Sequence, residues 1–382
     1  MKVLFICGSA QPQKCGVGDY SRRLAGELIR QGHQAAIISL MDADVLSSIV
    51  EVQIDVATAV TVFRLPYSNG YSHNCIESKP FLDDFNPDWV SLQYVPFSFH
   101  PKGLPVGLSK HLKMLSEGRN FQIMFHELWV SIDKFSDLKI KVWGKMQIEL
   151  VLSLVKNLNP AVIHTQTRLY QAMLLKHGIH AQLLPLFSNI PVAANYFNYE
   201  KNQSDFKIKD TLTFVLFGSV HKNAPLNQFA SELKGYSVKI SKKIELVILG
   251  RSGIEAERWA NEFQKLNMKV YSTGEQTEEN ISKILNDADY GISTSAFEML
   301  EKSGSVAAMV EHGLKVICVA TGFNAYEIPN SHKIKGLFNY SSGNLEQFFE
   351  SDQDSSLEVS FNSLKESSSK LIDSFRNSAR LL

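Results

Sequence analysis

Short apolar runs recur along the first half of the chain near residues 2–7, 34–40, 60–65, 88–94, 121–126, 160–165 and 182–186, and helically periodic segments fill most of the gaps between them. This alternation predicts βαβ units and a parallel sheet. The rhythm lapses from Asn189 to Asp210, where Pro191, Asn195, Asn198, Lys201, Asn202, Gln203 and Ser204 predict an interdomain linker over 191–210. It restarts with Thr211–Phe217, Ile244–Leu249, Lys269–Tyr271, Tyr290–Ser293 and Lys315–Val319, so a second doubly wound domain is expected over 211–355, after a first over 1–190. A final segment, 356–382, carries Leu364, Leu371, Ile372 and Phe375 at helical intervals among many serines. In open α/β sheets ligands sit beyond the carboxyl ends of the strands, so two such domains are expected to enclose a site between their strand-end loops.

Composition narrows the class. The chain has 382 residues, 44% hydrophobic and 20% charged, which suits a soluble chain too long for one typical core. A formal net charge of zero gives no global field to hold nucleic acid. Four cysteines, Cys7, Cys15, Cys75 and Cys318, lie far apart with no Cys-x-x-Cys. Reduced thiols in a cytoplasmic protein without structural zinc is the simplest account of them. The apolar run from Met1 to Cys7 is far shorter than a signal segment or membrane span and reads as a buried first strand.

The densest chemistry lies in 293–317, which reads as strand end, polar loop, helix start, short helix and next strand. Backbone N–H groups at Ser303, Gly304 and Ser305, with Lys302 beside them, would form an anion site for a nucleotide diphosphate. Ordinary capping by Ser and Gly, with a solvated lysine, is the competing reading. Gly16 and Gly18 precede the first helix and lack side chains, so their loop can approach a ligand closely. A dinucleotide fingerprint would need glycine at Ser21, and the loop from Gly8 is too long for it. His126 and Glu127 follow an apolar strand, but His126-Glu-Leu-Trp-Val130 lacks the second histidine of a zinc-protease motif.

Seven pieces in order carry a family resemblance: Cys15-Gly-Val-Gly-Asp-Tyr-Ser21 leading into Leu24–His33, Gln93-Tyr-Val-Pro96, Phe125-His-Glu-Leu-Trp129, Gly218-Ser-Val-His-Lys222, Leu246–Gly250 and Asp287–Ser295. Over nearly its whole length the chain resembles retaining glycosyltransferases of the GT-B fold, the group that includes sucrose synthases and bacterial mannosyl- and glucosyltransferases. The resemblance implies an α/β fold of two Rossmann-like domains facing across a cleft, the first for the acceptor and the second for a nucleotide-diphosphate sugar, UDP- or GDP-linked. It implies a last helix crossing back onto the first domain. His126 would hydrogen-bond the transferred sugar, and Lys222 would neutralise leaving-group charge. Gly16, Gly18, Gly218, Gly250, Arg251, Gly274, Glu275, Glu301, Lys302, Ser303 and Gly304 would line the donor and its phosphates. Tyr94, His100, Lys102 and Glu127 become candidate contacts for a glycan, lipid-linked or small-molecule acceptor. No metal or cofactor is implied, because in this fold the leaving phosphate itself is described as taking the acceptor's proton.

One departure stands out. Many members carry two glutamates eight positions apart around the phosphate-binding helix, and Leu300 and Ala308 occupy those positions here. Glu298 or Glu301 is then the candidate to approach the sugar, and a non-catalytic partner subunit that binds nucleotide sugar or glycan is the alternative reading. A last feature concerns membranes. The stretch 134–145 mixes Lys134, Lys139, Lys141 and Lys145 with Phe135, Leu138, Ile140, Val142 and Trp143, as an interfacial helix would. The zero net charge favours the plainer expectation, a helix that packs its apolar side on the sheet and extends its lysines into water.

Overall fold

The computed structural model describes residues 1–133, 135–192, 210–222, 224–250, 253–321, 336–350 and 363–379. Most of the expected linker, together with Lys134 and Arg251, lies outside the described residues. The chain divides into two units, the first Met1–Pro185 with the C-terminal helix Leu364–Ala379, the second beginning at Leu186.

In the first unit the strands are β1 (Lys2–Cys7), β2 (Gln34–Asp42), β3 (Ile49–Asp55), β4 (Thr58–Pro66), β5 (Trp89–Tyr94), β6 (Asn120–Phe125), β7 (Val162–Thr165) and β8 (Gln182–Leu183). They form an eight-stranded sheet in the order β3-β4-β2-β1-β5-β6-β7-β8. Helices α1 (Gly16–Arg30), α2 (Gly70–Phe85), α3 (Pro96–Phe99), α4 (Leu108–Ser116), α5 (Leu138–Leu158) and α6 (Arg168–Leu175) make the crossovers. The central strands are near-continuous apolar runs because helices cover both faces: every residue of β5 is buried, and β1 is buried from Val3 onward.

β3 departs from the expected parallel sheet. It pairs antiparallel with β4 and turns its polar side inward: Glu51, Gln53 and Asp55 face the unit, while Val50, Val52 and Ile54 are exposed. The inversion follows from guanidinium groups that need partners, two of them, Arg22 and Arg64, buried. Arg22 reaches Gln53 at 3.4 Å, Arg30 reaches Asp55 at 2.9 Å, and Arg64 reaches Glu51 at 3.2 Å. Asp55 lies so close over α1 that a Cβ on Gly26 would come within 2.5 Å of its carboxylate.

The second unit holds β9 (Thr211–Phe217), β10 (Lys243–Leu249), β11 (Lys269–Gly274), β12 (Tyr290–Ser293), β13 (Lys315–Cys318) and β14 (Leu337–Asn339), all parallel, in the order β11-β10-β9-β12-β13-β14. Its helices are α7 (Leu226–Lys239), α8 (Ile254–Lys265), α9 (Glu278–Asp287), α10 (Gly304–Glu311) and α11 (Leu345–Glu350). Phe214, Phe229, Trp259 and Phe263 anchor its core, and Phe349 stacks flat on Tyr236 with centroids 3.9 Å apart.

The C-terminal helix α12 (Leu364–Ala379) belongs to the first unit. Its Leu371, Ile372 and Phe375 are buried, and Phe375 stacks on Trp89 of β5 with centroids 4.0 Å apart and planes 3° from parallel. The Ser367 hydroxyl donates to the Pro185 carbonyl at 2.9 Å, and the Gln31 amide donates to Ser368 at 2.7 Å. This helix therefore completes the first unit's core. Phe375→Ala is expected to destabilise that unit by about 3–5 kcal/mol, the usual cost of emptying a buried aromatic site. Ser369→Ala, on the exposed side, is expected to leave the denaturant midpoint within experimental error, and equal midpoints for the two variants would contradict the packing described.

Candidate functional site

Each sheet reverses its winding direction beside its first strand, in the first unit between β1 and β5, in the second between β9 and β12. At such a reversal the loops leaving the two strands diverge to opposite faces and leave a crevice at the strand ends. The residues singled out from sequence fall largely on these loops.

In the second unit β9 is followed by Gly218, whose φ of +90° lies in the left-handed region that side chains disfavour. Its N–H donates to the Leu249 carbonyl at 3.0 Å, and the Gly250 N–H donates to the Gly274 carbonyl at 2.9 Å. Three neighbouring strands thus end at glycines with positive φ, which ties their terminal turns into one ledge. A Cβ on Gly218 would lie 3.2 Å from the Ser305 hydroxyl, so the loop after β9 runs directly against the first turn of α10. Thr294, past the end of β12, fixes that loop from the other side. Its hydroxyl contacts the Ser219 carbonyl at 3.4 Å and accepts the His221 N–H at 2.9 Å. Lys222 follows on the exposed surface of this loop.

Ser303 is the N-cap of α10, accepting the Val306 N–H at 3.4 Å, and its hydroxyl sits 3.2 Å from that of Ser305. The N–H groups of Gly304 and Ser305 precede any helical acceptor and carry the positive end of the helix. Gly304 is exposed, and Lys302, Ser303 and Ser305 are half-buried. The expected cluster Gly218, Lys302, Ser303 and Gly304 is therefore assembled around one helix start. Glu301 is buried at 8% exposure. Glu298 presents a buried carboxylate oxygen, Oε2, without a hydrogen-bond partner among the described residues. Burial, with the Glu298 charge adding, pushes the Cys318 thiol up to about 12, so this cysteine stays protonated. Glu275 and Gly274 are exposed at the end of β11. Leu300 and Ala308, the positions of the family's acidic pair, are both fully buried, and Glu311 accepts the Ser188 N–H at 3.2 Å.

In the first unit Gly18 is buried, and a Cβ there would meet the Ser9 carbonyl at 2.5 Å, so packing of the loop's own backbone on α1 demands this glycine. Gly16, two residues earlier, is exposed with open space around it. The loop is held by Asp42, which accepts the Ala10 N–H at 3.1 Å and two bonds from Arg64 at 2.9 and 3.0 Å. Burial alone would raise the Asp42 carboxyl, but Arg64 and the backbone donors bring it below the usual range. At the reversal itself Gly8 lies so close to Ser98 that a Cβ would approach its carbonyl to 2.7 Å.

His126 emerges from β6 at 6% exposure with its ring edge-to-face against Tyr20, centroids 4.8 Å apart. Its Nε2 bonds the Gln93 carbonyl oxygen at 2.8 Å, the Gln93 amide donates to Ser91 at 2.7 Å, Ser91 donates to Gln122, and the Gln122 amide donates to His164 Nδ1 at 3.1 Å. This chain runs through β5, β6 and β7 inside the sheet and fixes the His126 ring with Nε2 as donor. Neither Gln93 nor His164 was assigned a role from sequence. The signal was present as polar residues within strands buried on both faces, where each needs an internal partner. Tyr94 is a core residue at 2% exposure, its ring packed on Phe99 and Phe125. The His100 ring is engaged by its own loop, with Nδ1 accepting the Lys102 and Leu104 N–H groups at 3.2 and 3.3 Å. Glu127 is half-buried beside it, its N–H donating to the Tyr94 carbonyl at 3.4 Å. Among the described residues no group of three His, Cys, Asp or Glu is placed to hold a metal ion.

No protein-family model matches the sequence, and no curated protein is similar to it in sequence. Solved structures match over the whole chain. One is the α,α-trehalose 6-phosphate synthase of Burkholderia multivorans, with 9% identity and a TM-score of 0.58 over 100% of this chain and 99% of that one. Another is Anabaena HepE in complex with UDP-glucose, with 11% identity and a TM-score of 0.54 over 100% and 99%. A third is the UDP-GlcNAc 2-epimerase of Neisseria meningitidis bound to UDP-GlcNAc, with 10% identity and a TM-score of 0.55 over 99% and 100%. At these identities the likeness is one of fold: the chain has the GT-B glycosyltransferase-like fold, mixed α/β with two mainly parallel sheets.

The buried relay has a pH signature. Burial holds His164 down to about 3, far below its ordinary value near 6.5, so the unfolded chain binds a proton there that the folded chain refuses. Stability from this group is complete above pH 6.5 and is lost as pH falls toward 3. A pH series of urea unfolding is expected to show a steeper loss across that window for the native chain than for His164→Asn, and parallel slopes would contradict it.

Proposed function

We propose that this chain is a glycosyltransferase that moves a hexose from a nucleotide-diphosphate sugar to a hydroxyl acceptor, with retention and without a metal ion. The observation that carries the reading is the second unit's strand reversal, where the loop Gly218–Lys222 is held against the N-terminus of α10. Backbone N–H groups of Gly304 and Ser305, the paired hydroxyls of Ser303 and Ser305, and the cations Lys222 and Lys302 suit a diphosphate. The bound UDP-glucose and UDP-GlcNAc of HepE and the epimerase support the same class of ligand.

In this reading the bond between the anomeric carbon and the β-phosphate oxygen breaks while the acceptor oxygen bonds to the same face of that carbon. The acceptor's proton passes to the departing diphosphate. Lys222 and the start of α10 stabilise the charge that develops there. Glu298, whose buried oxygen lacks a donor, accepts a hydroxyl of the sugar. In the first unit His126, oriented by Gln93, is assigned to the transferred sugar, Gly16 to the donor and Glu127 to the acceptor. A second reading, binding without turnover as a partner subunit, is favoured by the fully buried Leu300 and Ala308, which leave no acidic pair on α10.

Thermal melting with UDP, GDP and ADP tests the site, because a ligand at a hundred times its Kd stabilises the native state by about 2.7 kcal/mol. One nucleotide is expected to raise the melting point, and Ser305→Asp, which sets a carboxylate at the helix start, is expected to abolish the shift. Retention of the shift in Ser305→Asp, or none with any nucleotide, would remove the donor site from α10. Glu298→Gln is expected to lower kcat at unchanged nucleotide affinity, since it removes a contact to the sugar and none to the diphosphate. Binding in the native chain with no turnover of any nucleotide sugar, by hydrolysis or transfer, would favour the partner-subunit reading.

A further inference from the structure

The plainer expectation for 134–145, an apolar side packed on the sheet, does not describe what the first unit shows. The face that α5 buries consists of Gly144, Gln147, Val151, Leu154 and Leu158. On the opposite side Leu138, Val142 and Met146, spaced four residues apart, form a ridge along the first two turns with exposures of 78%, 52% and 47%. Phe135, just before the helix, is 77% exposed. At one hundred degrees per residue, Lys141 and Lys145 fall along one flank of the ridge and Lys139 along the other, all three exposed. Glu149 occupies the next position along the line and ends it, and Asp137 lies at the helix start.

A neighbouring loop extends the surface. The Trp143 indole N–H donates to the Lys102 carbonyl at 2.9 Å, and its ring meets Phe97 edge-to-face at 6.4 Å. That ties α5 to a loop whose Phe97 and Val106 are 42% and 70% exposed and whose Lys102 is also exposed. Exposed apolar side chains in this number on one helix and the loop tied to it are unusual on a protein that meets only water. No described helix is long and apolar enough to cross a membrane, so a lipid surface would be met in its plane.

We infer that the first two turns of α5, with the loop at Phe97–Val106, dock the first unit on an anionic lipid bilayer. The ridge enters the boundary between headgroups and acyl chains, while Lys139, Lys141, Lys145 and Lys102 pair with headgroup phosphates. The choice of a bilayer over a second copy rests on charge. An isologous contact would set these lysines against their own equivalents, whereas an anionic surface neutralises all of them at once. The inference stands independently of the donor site in the second unit.

Flotation of the full chain with vesicles tests it. Binding is expected to equimolar phosphatidylcholine and phosphatidylglycerol, to weaken with added salt, and to be absent with phosphatidylcholine alone. Leu138→Glu/Val142→Glu and Lys139→Glu/Lys141→Glu are each expected to lower partitioning by at least about tenfold. All four side chains are exposed, so unchanged melting points are expected as the control for folding. Val238→Glu, an exposed apolar position on the second unit, should leave partitioning unchanged. Failure to bind either vesicle, equal binding to both, or undiminished binding by the α5 variants would overturn the inference. A dimer in solution that the Leu138→Glu/Val142→Glu variant dissociates, without vesicle binding, would assign the ridge to a second copy instead.

Discussion

Backbone crowding where each sheet reverses direction is the constraint on which the rest of the structure depends. When a parallel sheet winds outward both ways from its first strand, the loops leaving the two central strands must pass close to each other. In the second unit that crowding puts Gly218 against Ser305, and in the first it puts Gly8 against Ser98. A side chain has no room at Gly8, and the positive φ of Gly218 disfavours one there, so glycine is called for before any ligand is considered. The same closeness produces the candidate site, because it sets the turn of one loop at the N-terminus of the next helix. The anion affinity proposed for α10 would then be a by-product of topology that polar residues such as Ser303, Ser305 and Lys222 refine.

The two units handle buried polarity differently, and this bears on their roles. The first sinks an extended polar system into its sheet: Asp42 and Arg64 brace the loop after β1, and the Gln93–Ser91–Gln122–His164 chain braces His126. Buried polar groups cost free energy unless every partner is present, so this arrangement rigidifies as long as it is complete. A histidine held in one tautomer at a strand end is suited to a directed hydrogen bond. The second unit instead relies on backbone: strand-end glycines, a helix start and short hydroxyls. Such an arrangement would recognise phosphate by dipoles and N–H groups whose positions the fold fixes.

Legibility in the sequence followed the strength of each local signal. Thr211–Phe217 and Tyr290–Ser293 were read to the residue because an uninterrupted apolar run is what a strand covered on both faces requires. β3 was missed although its Val50, Val52 and Ile54 alternate with Glu51, Gln53 and Asp55 at the period of a strand. That alternation normally marks the apolar side as the inner one, and here guanidinium groups on α1 and β4 reverse it. Leu337–Asn339 is too short to stand out. Among the candidate site residues, the backbone roles of Gly218, a left-handed turn, and Ser303, a helix N-cap, were visible because residue type and position carry the signal together. The relay behind His126 was not, since hydrogen bonds between residues up to 42 positions apart leave only isolated polar letters in apolar strings. Tyr94 shows the converse: a strand-end tyrosine is a reasonable ligand contact by sequence, and only the neighbouring Phe99 and Phe125 reveal it as core.

The missing acidic pair acquires a physical meaning from burial. Leu300 and Ala308 are sealed within the second unit, and an unpaired carboxylate at either depth would carry a desolvation cost of several kcal/mol. Their apolar identity therefore belongs to the packing of α10 and of the turn before it. Negative charge near the helix start comes instead from Glu298 and Glu301, both on the turn that leads into α10. A buried carboxylate oxygen without a donor, as at Glu298, is a cost that folding alone does not reward. Such a cost is offset when a hydroxyl-bearing ligand supplies the hydrogen bond. The sugar contact proposed for Glu298 would meet that cost.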